Sequence, residues 1–313
     1  MIQFNGSIRS KLPQTDQSIF SLINQHAAKA GALNLSQGYP DFGMPEDLIT
    51  RVTHYMKKGY NQYAPMPGVP DLLNKISQKT KSLYGCKYDA EKEITVTAGA
   101  TQAIYAIIAS LINENDEVIL FTPAYDCYEP SIKLNGGKPV FVQLKLPDYS
   151  IDWEEVKKII NQKTRMIIIN TPHNPTGTIL SKNDMMELEK IVKGTDIFVL
   201  SDEVYEHITF DDHQHHSVMQ SPELASQSII VSSFGKTYHC TGWKLGYCMA
   251  PEKIMKEIRK AHQFMVFAVN TPIQYAMADY LDKSAHYLQL GAQYQKKRDY
   301  FNGLLKDSKF VKS

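Results

Sequence analysis

Between residues 94 and 251, short runs of β-branched residues alternate with amphipathic segments, and this constrains the fold more than any other feature of the chain. Ile94–Thr97 reads as a strand broken by Ala98-Gly99-Ala100. Beyond it Ala103, Ile104, Ile107, Ile108 and Leu111 recur at helical spacing. Further strands are predicted at 117–121, 139–144, 165–170, 197–200, 229–231 and 245–249. Asp152 is placed to cap a helix running to 160, Ser181 begins a capping-box-like start, and Pro251 opens another helix. Residues 165–170 are apolar enough to be covered on both faces, as a central parallel strand must be. Parallel neighbours need crossover helices, so the pattern predicts an α/β doubly wound sheet with helices on both faces.

With 313 residues there is room for about two domains. At 43% apolar and 21% charged residues, the composition is that of a folded chain rather than a disordered one. Basic and acidic residues nearly cancel, 34 against 33, so neither a nucleic acid nor a membrane surface is expected as a partner. No apolar run reaches the length of a membrane span, and the first residues lack a basic segment followed by an apolar one. Cys86, Cys127, Cys240 and Cys248 show no C-x-x-C spacing, so reduced thiols and a cytoplasmic location are expected. The stretch 271–307 is expected to be helical throughout. Asp211-Asp212-His213-Gln214-His215-His216 reads as a solvated turn rather than a metal site.

Three strand ends carry polar clusters that fall on the same edge of such a sheet, where α/β folds build their crevices. Asn170-Thr171-Pro172-His173-Asn174-Pro175-Thr176-Gly177 follows one, Ser201-Asp202-Glu203-Val204-Tyr205 another, and Ser233-Phe234-Gly235-Lys236 the third. A carboxylate at Asp202, directly after Phe198-Val199-Leu200, is expected near the interior and requires a partner there. A plain ion pair with Lys236 would satisfy it, and so would a cationic ligand.

Asn174-Pro175-Thr176-Gly177, Asp202-Glu203-Val204-Tyr205 and Ser233-Phe234-Gly235-Lys236 occur in order, with Asn174 and Asp202 28 residues apart and Asp202 and Lys236 34 apart. In these motifs the chain resembles the class I/II aminotransferases, pyridoxal-phosphate enzymes of fold type I. Asn34-Leu35-Ser36-Gln37-Gly38-Tyr39-Pro40-Asp41-Phe42, Asn61-Gln62-Tyr63-Ala64-Pro65 and the run Phe234 to His239 are similar to the methionine aminotransferase and kynurenine/glutamine transaminase subgroup.

The resemblance implies a mostly parallel seven-stranded sheet in a large cofactor domain at 41–285. It implies an N-terminal arm and part of a small domain at 1–40, and a connecting helix leading into an incomplete small domain at 286–313. It implies that Lys236 holds pyridoxal 5'-phosphate as a Schiff base and then carries a proton, which needs a neutral amine. Asp202 would keep the pyridine nitrogen protonated, Asn174 and Tyr205 would bond the phenolic oxygen, and Tyr125 would stack on the ring. Gly99, Ala100 and Thr101 at a helix start, with Ser233 and Lys244, would hold the phosphate. Tyr63 would reach the phosphate of a neighbouring subunit, making a homodimer with shared sites.

Substrates would be an amino acid (methionine, aromatic or glutamine) and a 2-oxo acid, with Asn174 and the backbone N–H of Gly38 at the substrate. The arginine that clamps the substrate carboxylate in this family has no counterpart among Arg9, Arg51, Arg165, Arg259 and Arg298, so a fragment or a truncated chain is expected. The same electron sink could serve a β-lyase. A non-catalytic effector-binding module would bring a DNA-binding segment, and no helix-turn-helix pattern is seen in the sequence.

Overall fold

In a computed structural model that describes residues 2–13, 18–33, 38, 40 and 42–309, seven strands form one sheet. They are β1 (Ile94–Thr97), β2 (Glu117–Thr122), β3 (Lys138–Gln143), β4 (Thr164–Asn170), β5 (Phe198–Asp202), β6 (Ser228–Ser233) and β7 (Gly246–Met249). Their order is β1-β7-β6-β5-β4-β2-β3; β7 runs antiparallel to both its neighbours and every other pairing is parallel.

Successive residues of a strand point to opposite faces, and both faces here are apolar. Ile167 and Ile169 of β4 enter one core, built with Leu72 and Ile76 of the helix Pro70–Tyr84 and Leu188 of Lys182–Val192. Met166 and Ile168 enter a second core with Ile104 and Ile108 of Ala100–Leu111 and Ile258 of Glu252–Met265. Helices therefore cover both faces, as the alternation predicts. The caps also form: the Asp152 side chain accepts from the Glu155 N–H, and Ser181 and Asp184 make a reciprocal capping box.

Two expectations need correction. The stretch 271–307 is not one helix but three, Thr271–Tyr280, Ser284–Leu288 and Leu290–Leu304. At the first break Asp282 and Lys283 make ion pairs with Lys75 and Asp47 on neighbouring helices. The histidine-rich turn is solvated only in part. Asp211 to Gln214 are exposed, but the His215 side chain is buried, its Nε2 lying 2.8 Å from Oε2 of the equally buried Glu203. That carboxylate, inside the core, draws in the imidazole as its partner.

Three helices ahead of the sheet (Ile19–Ala30, Glu46–Lys57 and Pro70–Tyr84) lie outside the strand–helix alternation. The last of them is tied to the strand ends by a buried charge pair. Lys79 Nζ donates to Glu206 Oε1 at 2.6 Å and to the Tyr247 hydroxyl at 3.1 Å, while Tyr84 and Ser232 donate to the same carboxylate at 2.6 and 2.9 Å. Burial opposes ionisation of Glu206, but the Lys79 charge and these hydrogen bonds outweigh it and hold the carboxyl well below its usual range. Removing only the cation would strand a buried charge. Lys79→Met is expected to cost about 3 kcal/mol in urea denaturation, and adding Glu206→Gln should return most of it.

Candidate active site

From β2 the chain passes outward to β3 and returns to β4 on the other side of β2, which opens a crevice at the carboxyl ends of the strands. A cavity of about 710 Å³ lies there, lined from the ends of β2, β4, β5 and β6 and from the start of Ala100–Leu111.

Lys236 lies in the helical turn Phe234–Thr237 that follows β6. Its amine lines the cavity, donates to the Gly38 carbonyl at 2.9 Å and lies 5.6 Å from the centre of the Tyr205 ring. Burial, and then the charge of Lys244, lower its pKa below the ordinary lysine value. Tyr205 itself is pushed up to about 12, by burial and then by the Asp202 charge, so its hydroxyl stays protonated.

Asp202 ends β5 and is 4% exposed. Its donors are neutral: the Tyr128 hydroxyl at 2.7 Å and the Val204 N–H at 3.2 Å. Among the described residues no ion pair joins it to Lys236 or to any other cation. Burial pushes its pKa up to about 6 against the opposing effect of those two hydrogen bonds. A buried carboxylate lining a cavity with no cationic partner fits a positively charged ring N–H supplied from outside.

Asn174 also lines the cavity; its N–H donates to Asn170 Oδ1 at 2.7 Å, and Asn170 in turn donates to the Asp202 carbonyl at 2.8 Å. The strand-end loop is thereby pinned to β5. Tyr125, just past β2, lies across the cavity with its hydroxyl 3.3 Å from Thr101 Oγ1.

At the far end Gly99 opens Ala100–Leu111 without a side-chain cap, so the first helical N–H groups face the cavity beside Ala100 and Thr101. Gly99 has φ +82, and a Cβ there would come within 3.4 Å of the Lys244 Nζ. Lys244 is itself held at φ 52. Ser233 and Lys244 complete this end. A helix start beside a cation suits a phosphate.

Tyr63, expected at the site of a second copy of the chain, lies outside this cavity; it is 81% exposed and meets Phe267 edge-on at 5.4 Å. Gly38 lines the cavity, but its observed contact is through the carbonyl to Lys236. Its motif neighbours Asn34 to Gln37, Tyr39 and Asp41 lie outside the described residues. None of the five arginines lines the cavity.

Sequence reasoning missed Asn170 and Tyr128 as site residues, and Ile19 and Phe20, which bring an apolar wall. Asn170 was legible as the first polar residue after an apolar strand. Tyr128 stands three residues after Tyr125, a spacing that brings two side chains together on a turn. Nothing in the sequence marks Ile19 and Phe20.

This architecture is that of the pyridoxal-phosphate enzymes of fold type I. A solved methionine aminotransferase of Escherichia coli matches with a TM-score of 0.93 and 48% identity, over 97% of this chain and 79% of that one. The family model for aminotransferases of class I and II matches residues 30–312, and the chain belongs to that family. Among curated proteins it is 49% identical over 302 residues to the methionine aminotransferase of Escherichia coli strain K12, covering 96% of this chain and 78% of the relative. It is 37% identical over 303 residues to a kynurenine–oxoglutarate transaminase of Dictyostelium discoideum, covering 90% and 70%. It is thus a pyridoxal-phosphate-dependent transaminase. Among the described residues no helix is long and apolar enough to cross a membrane.

Proposed function

We propose that the enzyme moves the amino group of methionine, and of aromatic amino acids or glutamine, to a 2-oxo acid. The observation that carries this reading is the shared cavity of a desolvated lysine, Lys236, and a buried carboxylate, Asp202, that no cation balances. When bound, the cofactor supplies an electron sink for the carbanion formed at the substrate α-carbon.

The chain's own residues divide the remaining work. Lys236 would hold the cofactor covalently and, as a neutral amine once released, would carry the proton to and from the substrate α-carbon. Asp202 would balance the charge of the ring nitrogen. Asn174 and Tyr205 would donate hydrogen bonds to the phenolic oxygen, and Tyr125 would pack against the ring. The N–H groups at Gly99, Ala100 and Thr101, with Ser233 and Lys244, would hold the phosphate. Asn174 and the Gly38 backbone lie on the substrate side. Ile19 and Phe20 favour an apolar substrate side chain, which agrees with the activity named for the Escherichia coli relative.

In the same reading 41–285 is the cofactor domain, holding every strand described, while 1–40 is an N-terminal arm and part of a small domain and 286–313 a connecting helix and the start of an incomplete small domain. Tyr63, exposed beside Phe267, would complete the phosphate site of a second copy of the chain, giving a homodimer. The near balance of charge supports an enzyme with neither nucleic acid nor membrane as a partner, and four free cysteines support a cytoplasmic one.

The test is the absorbance of the purified holoenzyme before and after methionine. The yellow band should bleach once, releasing one equivalent of the 2-oxo acid with methionine's carbon count, and continuous turnover should need an added 2-oxo acid. Ammonia as the product would favour elimination instead. A band unmoved by methionine, aromatic amino acids and glutamine would overturn the proposal.

A further inference from the structure

Tyr128 begins the helix Tyr128–Leu134, is 3% exposed, and lies behind the cavity rather than in its lining. Its hydroxyl is 2.7 Å from Asp202 Oδ2, the other carboxylate oxygen being held by the Val204 N–H. Its ring meets Tyr125 at 5.7 Å and 84°, edge to face. One buried side chain therefore touches two cavity residues, the acid and the aromatic ring.

We propose that Tyr128 is a positioning residue: its hydroxyl fixes the Asp202 carboxylate toward the cavity, and its ring braces Tyr125 across it. The inference rests on the assignment of Asp202 to the ring nitrogen.

The surroundings of Asp202 make this contact matter. Glu203, the next residue beyond the strand, opposes its charge, while Tyr125, Cys127 and Tyr205 nearby are themselves pushed toward their neutral forms by burial. Tyr128 is the side-chain donor that favours the ionised acid, and burial raises its own pKa well above the ordinary value, so the hydroxyl stays a donor throughout the working range. Without it the acid, already near 6, would rise further and be partly protonated at neutral pH.

The experiment measures pyridoxal phosphate affinity of the apoprotein by fluorescence from pH 5.5 to 8.5, alongside the melting temperature, in three variants. Tyr128→Phe keeps the ring and drops the hydroxyl. It should weaken binding about tenfold at pH 7, recover at alkaline pH, and move the midpoint of the pH dependence upward. Tyr128→His places an ionisable ring beside the acid; a positive imidazolium favours the carboxylate, so this midpoint should move downward. Asp202→Asn should bind weakly with no midpoint in this window. If Asp202→Asn keeps the wild-type affinity and profile, the Asp202 assignment fails. If Asp202→Asn is impaired while either folded Tyr128 variant keeps the wild-type midpoint, the role of Tyr128 alone is overturned. A purely structural residue would change the melting temperature without moving the midpoint, and would move it in neither direction. Should the phenylalanine variant not fold, the direction of the histidine shift decides the question.

Discussion

Lys236→Ala is expected to leave no covalent attachment of the cofactor, so that borohydride reduction followed by peptide mapping finds no labelled lysine, and to lower the transamination rate by at least about 10⁴-fold. The size of the loss follows from two roles held by one amine. Among the described residues Lys236 and Lys244 are the lysines at the cavity, and Lys244 lies at its other end beside Gly99. Lys244 therefore cannot take over proton transfer. Burial lowers the pKa of Lys236 and the Lys244 charge lowers it further, which raises the fraction of neutral amine available as a base. Lys236→Arg should fail equally, since a guanidinium stays charged and forms no imine. A labelled peptide carrying a different lysine would refute the assignment.

Asp202→Asn is expected to weaken cofactor binding by roughly 10²- to 10³-fold while the link to Lys236 remains reducible. The amide nearly matches the carboxylate in shape, so the loss isolates charge. An isolated buried carboxylate pushed up to about 6 is costly in the empty protein at neutral pH, and the ring cation relieves that cost when it binds. The sign is therefore distinctive. With its folded-state pKa above the ordinary carboxylate value, Asp202 disfavours the empty fold as pH rises from about 4 through about 6. Asp202→Asn should thus make the apoprotein slightly more stable at pH 7 than the wild type, and the holoenzyme less so. Calorimetry of both forms checks this; a destabilised apoprotein with unchanged cofactor affinity would remove Asp202 from the role.

The parts of this molecule legible in the sequence are those where one local pattern decides the outcome. Met166 to Ile169 had to be a doubly covered strand because no single-sided surface could bury four consecutive apolar residues. Asp152 and Ser181 announced their helices because a cap is a contact within three residues. Asp202, Lys236 and Asn174 were found because each follows an apolar strand, and strand ends share an edge.

What stayed hidden depends on partners distant in the chain. Lys79 meets Glu206 across 127 residues, and neither position carries a local sign that it is buried. His215 resembled its exposed neighbours until Glu203 drew it inward. The break near Lys283 places its amine on Asp47, 236 residues away. Tyr128 reads as one more core aromatic until Asp202 is placed beside it.

The antiparallel turn from β6 to β7 carries a further consequence. Ser233 pairs with Gly246, and the Phe234 N–H closes the turn on the Leu245 carbonyl at 3.1 Å, so Lys236 and Lys244 belong to a single fastened loop. Its length acts as a gauge for whatever molecule spans from one amine to the other. Adding or deleting one residue here would change that gauge without touching either functional group.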